Sequence, residues 1–273
     1  MSSHTSRWLQ RAATQRARIG SPPHGSRRGS ARRVGAVLIS GLRVVLHVLL
    51  RGFLHSYHRF RVSGVGNLPR DRSFVMVCNH TSHLDALCLL SSLPLGSVQR
   101  AFPAAAADYF FSSVLRAFFS KILVNGLPFD RQGGGGESLS LCRELLAADR
   151  NVLILFPEGT RSISGEIQRF RAGVGQLVVG TETPVVPCYL VGAHAAWPKG
   201  AWGPKPGALE LRIGHPLSFE SIQAGRPGAV RRVCRDLQRA VESLAPSAAE
   251  VVAPERGIAL RRRRALARGL LRG

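Results

Sequence analysis

The chain is short of lysine, of acidic residues and of paired cysteines, and each shortage narrows its class. Only three of its 38 basic residues are lysine, and so Arg- and Ala-rich a composition has a partly genomic, GC-rich origin. Its 16 acids leave a net charge of +22. Five cysteines (Cys78, Cys88, Cys142, Cys188 and Cys234) are odd in number and contain no CxxC pair. That excludes a zinc ribbon and favours a reducing compartment, with each thiol acting as a small hydrophobe. There is no internal repeat. Aromatic and basic residues do not interleave as they do in proteins that stack single-stranded bases, so no nucleic acid is expected as a partner.

What is present is an uneven charge map over 273 residues, a length that buries a real core. Residues 1–72 carry 14 Arg and one acid, residues 226–273 carry 12 Arg and four acids, and residues 73–225 carry 12 basic residues and 11 acids. A nearly neutral centre thus has two basic flanks, suited to an anionic surface. Residues 1–33 are Arg-, Ser-, Gly- and Pro-rich and read as disordered. The run VGAVLISGLRVVLHVLL (34–50) follows. Four readings compete for it. A signal peptide conflicts with the long leader and the lack of a good cleavage site. A membrane span is at the short limit and would place Arg43 in the apolar centre, at roughly 2.5–3.5 kcal/mol. A buried N-terminal helix is the plainest alternative. The favoured reading is a helix lying in one leaflet with its basic residues at the headgroups. The segments expected are a basic disordered stretch (1–33), a membrane-associated helix (34–59), a folded domain (60–247) and a basic tail (248–273).

From Phe60 onward, strand-like and helix-like periods alternate. RFRVSGVGNLP alternates as a strand. SFVMVC (73–78), NVLILF (151–156), PVVPCYLVG and ALELRIG read as further strands, the first two as continuous apolar runs of a doubly buried sheet. LDALCLLSSL, AAAADYFFSSVLRAFFSKIL, ESLSLCRELLAAD, FRAGVGQLVVGT and AVRRVCRDLQRAVESLA read as helices. VNGLPFDRQGGGG and AWPKGAWGPKPG read as loops. The expected fold is α/β, with a largely parallel central sheet flanked by helices.

Two stretches carry chemistry. In NHTSHLD (79–85), two histidines and an aspartate follow a buried strand, where ligands of open α/β sheets gather. On one regular helix His80 and Asp85 would be about 140° apart. They meet only if His80 sits in the turn and Asp85 in the first helical turn, where the carboxylate can accept from Nδ1–H and leave Nε2 free as a base. Ser-x-x-Asp before an apolar run is equally a capping box, with Thr81 or Ser82 as cap, and the two readings are compatible. The histidine spacing does not suit a binuclear metal site, so no metal is expected. In FPEGTRS (156–162), Gly159 permits close backbone approach to a ligand and Arg161 offers a planar fork suited to phosphate, although PEGT is also a plausible turn.

Taken together, His80-x4-Asp85 after one strand and Phe156-Pro157-Glu158-Gly159-Thr160-Arg161 after a later one resemble the glycerolipid acyltransferase family, best known for the 1-acylglycerol-3-phosphate acyltransferases. GLPFDR, with Gly126, Phe129, Asp130 and Arg131, resembles the family's intermediate motif, and TPVVPCYL around Pro187 its fourth. The resemblance covers roughly residues 60–220. It implies His80 as general base, Asp85 as its orienter, Arg131 and Arg161 as a phosphate clamp, and Asn79, Gly126, Phe129, Asp130, Glu158, Gly159 and Thr160 as substrate-binding residues. It also implies direct transfer from an acyl-CoA or acyl-carrier-protein thioester to a lysophospholipid. No cofactor is expected beyond that co-substrate, and no cysteine nucleophile is needed. The expected setting is the cytoplasmic face of a bacterial inner membrane, with an anionic bilayer as partner. Trp197 and Trp202 read either as interfacial residues or as a cover for the sheet edge. A close variant is the same chemistry on another lyso-lipid, such as a lyso-ornithine lipid; an alternative of a different class is a non-enzymatic basic protein binding membrane or nucleic acid through its flanks.

Overall fold

The computed structural model describes residues 27–106, 127–129 and 136–247. Among the described residues, seven strands form one sheet: β1 (Arg61–Ser63), β2 (Phe74–Cys78), β3 (Ala101–Ala106), β4 (Leu127–Phe129), β5 (Val152–Leu155), β6 (Val185–Val191) and β7 (Glu210–Ile213). Their order is β1-β7-β6-β2-β5-β3-β4. β6, β2, β5, β3 and β4 are mutually parallel. β7 is antiparallel to β6 and parallel to β1.

β2 and β5 lie at the centre because both of their faces are apolar. Phe74, Met76 and Cys78 belong to one core layer, and Val75 and Val77 to the other. The first layer packs against α1 (Arg27–His58) and α2 (Asp85–Ser92). The second packs against α3 (Gly136–Ala147), α4 (Ala172–Val178) and α6 (Ala229–Glu242). The short helix α5 (Ala193–Ala196) follows β6. On α3, Leu139, Leu141, Cys142 and Leu145 are buried together. All five cysteines are free and buried.

Three expectations are corrected. The stretch read as a helix from Ala104 opens inside a strand: Ala101–Ala106 is β3, wedged between β5 and β4. Alanine favours helix only weakly, and pairing with a buried neighbour strand overrides it. Leu127–Phe129, read as loop, forms the edge strand β4, where Pro128 is tolerated. The N-terminal helix starts at Arg27, within the segment read as disordered.

The largest revision concerns how α1 faces. Arg43, His47, Leu50, Leu54 and His58, spaced i+4, i+3, i+4, i+4, are buried against the domain. Arg43 donates to Gln99 Oε1 at 2.9 Å, and Gln99 donates in turn to Ser40 O at 2.9 Å. Arg51 Nε donates to Ser91 O at 2.8 Å, and its Nη2 to Leu93 O, closing the carbonyl end of α2. Arg43 is therefore held by the protein, not by headgroups. Leu38, Leu42, Val45, Leu49 and Phe53 are exposed on the opposite face.

Candidate functional site

Both motif stretches leave the carboxyl ends of adjacent parallel strands. β2 and β5 are in register, with Val77 opposite Leu155, so three residues further on His80 and Glu158 stand at the same level. Asn79, expected among the substrate-binding residues, is buried and pinned to β6. Its Oδ1 accepts from Leu190 N at 2.8 Å, and its Nδ2 donates to Leu190 O at 3.2 Å. It anchors the turn to β6.

The turn then carries His80 over the start of α2. His80 Nδ1 lies 2.8 Å from Asp85 Oδ2, and the same oxygen accepts from Thr81 N at 2.7 Å and Ser82 N at 2.8 Å. Asp85 is the first residue of α2, and its side chain is 1% exposed, against 17% for His80. The capping and orienting readings merge here. One carboxylate oxygen ties down the loop amides, as in half a capping box, and also receives the imidazole. Ser82 Oγ serves the other side by accepting from Leu84 N at 3.1 Å. The Nδ1 bond sets the tautomer, and Nε2 makes no hydrogen bond to a described residue. Phe156 stacks on the imidazole with ring centroids 4.2 Å apart, leaving the ring one open edge.

Glu158 binds the two loops together. Its Oε1 accepts from His80 N at 2.7 Å and its Oε2 from Gln168 N at 3.0 Å. Burial pushes its carboxyl up to about 7, against the lowering effect of the two backbone amides, and the Asp85 charge adds to the rise. Ser162 N donates to His80 O at 2.8 Å, a second tie between the motifs. Gly159 is left-handed, with φ of 75°, and packs so closely under Arg171 that a Cβ would lie 2.6 Å from its Nε. Arg171 Nε also donates to Glu158 O at 3.1 Å. Thr160 and Arg161 are half-buried at the rim.

Arg161 reaches back to the first motif, its Nη1 donating to His83 Nε2. The His83 ring lies 4.9 Å from the ring of Trp197, and Ser82 Oγ donates to Trp197 O at 2.7 Å. His83 and Trp197 are the site residues that sequence reasoning missed. His83 was weighed there only as a metal ligand, and no local signal indicates a partner 78 positions away. Of the intermediate motif, Phe129 lies in β4, while Gly126, Asp130 and Arg131 fall outside the described residues. Cys78 lies next to the turn, but burial raises its thiol far above the ordinary range, which keeps it protonated.

An imidazole held by a buried carboxylate and an arginine held by a second histidine thus stand on loops that leave the carboxyl ends of adjacent parallel strands. Residues 59–191 match the family model described as Acyltransferase. The 1-acyl-sn-glycerol-3-phosphate acyltransferase of Cocos nucifera is 28% identical over 148 residues, covering 54% of this chain and 46% of that protein. The 1-acyl-sn-glycerol-3-phosphate acyltransferase alpha of Mus musculus is 28% identical over 186 residues, covering 65% of this chain and 62% of that protein. The crystal structure of the 1-acyl-sn-glycerophosphate acyltransferase PlsC from Thermotoga maritima shares the fold, with a TM-score of 0.54 and 24% identity over 88% of each chain. The chain spans about half the length of the plant relatives it matches. Residues 59–191, just under half of the chain, thus resemble the acyltransferase family, and the named relatives are glycerolipid acyltransferases.

Proposed function

We propose that this chain transfers a fatty acyl group from an acyl-CoA or acyl-carrier-protein thioester to the free hydroxyl of 1-acylglycerol-3-phosphate, giving phosphatidic acid. The observation that carries the reading is the single Asp85 oxygen that holds both the catalytic turn and the His80 imidazole. His80 Nε2 takes the hydroxyl proton as the acceptor oxygen forms its bond to the thioester carbonyl. The tetrahedral intermediate collapses, the C–S bond breaks, and the imidazolium returns the proton to the departing sulfur. Asp85 stabilises the imidazolium in between. Arg161, braced by His83, faces the acceptor phosphate, and Arg131 completes the clamp in this reading.

Both substrates are amphiphiles or carry long acyl chains, so the site must work at a bilayer. In this reading the exposed stripe of α1 lies in the lipid of one leaflet, with the basic flanks at anionic headgroups on the cytoplasmic face of a bacterial inner membrane. Supporting it, Leu38–His58 is by length and composition apolar enough to cross a membrane, and its residues Leu38, Leu42, Val45, Leu49 and Phe53 point away from the domain.

The test is acyl transfer by the purified chain from CoA and carrier-protein thioesters to a panel of lyso-lipids. His80→Ala is expected to lower turnover of 1-acylglycerol-3-phosphate about 10²–10⁴-fold. A folded His80→Ala protein with wild-type turnover would exclude the base assignment. Preference for a phosphate-free acceptor would exclude the phosphate clamp.

A further inference from the structure

The loop between α5 and β7 has a feature that the transfer reaction does not use. Trp202 projects entirely into solvent, although the loop that bears it is well tied. Lys205 N donates to Ala196 O at 2.8 Å across its base, and Ala201 N donates to Pro198 O at 3.2 Å within it. Trp197, by contrast, is tucked in, its indole N–H donating to Ala201 O at 3.1 Å. An ordered loop that holds one indole out and another in is presenting the first to something.

Charge points to the occupant. Lys199 and Lys205 flank Trp202 and are both exposed, and residues 193–209 contain no acid. In a chain with three lysines in all, two stand beside this one tryptophan. An amphipathic ring between flexible ammonium stems suits the level of lipid headgroups.

Position supports the same occupant. Tyr57 Oη donates to Pro204 O at 3.2 Å, and the Tyr57 ring stacks on Phe53 with centroids 5.1 Å apart. Phe53 belongs to the exposed stripe of α1, so the loop continues that stripe. At its other end the loop meets the catalytic turn, through the Ser82–Trp197 bond and a bridge pairing Ser82 with Pro198.

We propose that residues 198–206 are a second bilayer-contacting element, in which Trp202 enters the interfacial layer, Lys199 and Lys205 bind anionic headgroups, and the ties to Ser82 seat the mouth of the His80 site at the height of the lipid acceptor. This rests on the reading of α1 as the lipid-facing helix.

The experiment uses the full chain with Trp8→Phe and Trp197→Phe, so that Trp202 is the one indole left. It is mixed with vesicles of phosphatidylcholine alone or with phosphatidylglycerol, and flotation is measured beside emission. The expected result is flotation with a blue-shifted Trp202 emission that is quenched by brominated lipid and shielded from iodide. Lys199→Ala with Lys205→Ala is expected to weaken partition into the anionic vesicles on the order of 30-fold. Trp202→Ser should slow turnover of vesicle-borne acceptor while leaving a monomeric short-chain 1-acylglycerol-3-phosphate unaffected. Flotation with a fully aqueous Trp202 overturns this inference alone. Failure to float overturns it together with the assignment of α1. An equal loss on both forms of acceptor means that Trp202 only supports the fold, and overturns it as well.

Discussion

Replacing Asp85 by Asn separates two tasks that one oxygen performs. Oδ2 receives His80 Nδ1, Thr81 N and Ser82 N, while Oδ1 is buried without a partner among the described residues. An asparagine oxygen can take over all three bonds, and its Nδ2 falls where Oδ1 was. The turn and the imidazole orientation therefore persist, and one unpaired N–H₂ costs about 1–3 kcal/mol. What disappears is the charge. In the reaction proposed above, the imidazolium formed when His80 takes the proton faces a carboxylate. Two unit charges about 4 Å apart attract by about 4 kcal/mol at an effective dielectric constant of 20. Losing that attraction in the transition state lowers the rate about 10³-fold.

Asp85→Ala removes the cap as well and leaves two loop amides unpaired, a further cost of about 2–6 kcal/mol. The assay is kcat for acyl transfer at saturating concentrations of both substrates, beside urea unfolding of each variant. Asp85→Asn is expected to remain folded with kcat down about 10³-fold, and Asp85→Ala to be less stable and no faster. A folded Asp85→Asn protein within about tenfold of the wild-type kcat would refute the argument, because it would mean that no imidazolium forms opposite this carboxylate.

Glu158 makes a pH prediction. Its carboxyl stands at about 7 in the folded protein, so the native state keeps a proton that the unfolded chain releases near its ordinary 4.5. Its contribution is full below pH 4.5 and is lost as pH rises through 7, a change of about 3 kcal/mol. The stability of the wild type relative to Glu158→Gln should fall by that amount between pH 4.5 and 8 in urea titrations, and a flat difference refutes it. His83→Ala removes one brace of Arg161 and should raise the KM for the phosphate-bearing acceptor about tenfold with kcat nearly unchanged, with partial rescue by His83→Gln. Gly159→Ala places a Cβ 2.6 Å from Arg171 Nε at a positive φ and should destabilise by about 1–3 kcal/mol, read as a lowered Tm.

Local chemistry was legible in the sequence and long-range pairing was not. His80 and Asp85 lie five residues apart at a strand-to-helix junction, so local geometry alone states the condition for their contact. The β2 and β5 apolar runs announced the centre of the sheet, because strands buried on both faces have no polar period. Beyond these, the site depends on residues joined across long stretches of chain: His80 N with Glu158, His80 O with Ser162, and His83 with Arg161. No periodicity encodes such contacts. β3 was missed for a related reason. Its alanines state a weak helical preference, and the strand forms because β5 presents an unpaired edge.

The orientation of α1 was misread because arginine was assumed to seek water or headgroups. On this helix two arginines find partners on the protein: Arg43 on Gln99, and Arg51 on the carbonyls that end α2. The hydrogen bonds rotate the helix, and the apolar stripe is carried outward as a consequence. Leu38, Ile39, Leu42, Val45, Val48, Leu49, Phe53 and Tyr57 are each more than a third exposed. Covering a side chain of this size fully is worth about 1.5–3 kcal/mol. Covering the exposed half of eight is worth roughly 8 kcal/mol, comparable with the whole stability of an ordinary domain. Aspartate at Val45 and Leu49 tests this directly. Both positions face away from the domain, so the variant should unfold in urea like the wild type while its recovery with vesicles collapses. Loss of folding without loss of vesicle binding would mean that the stripe packs against protein.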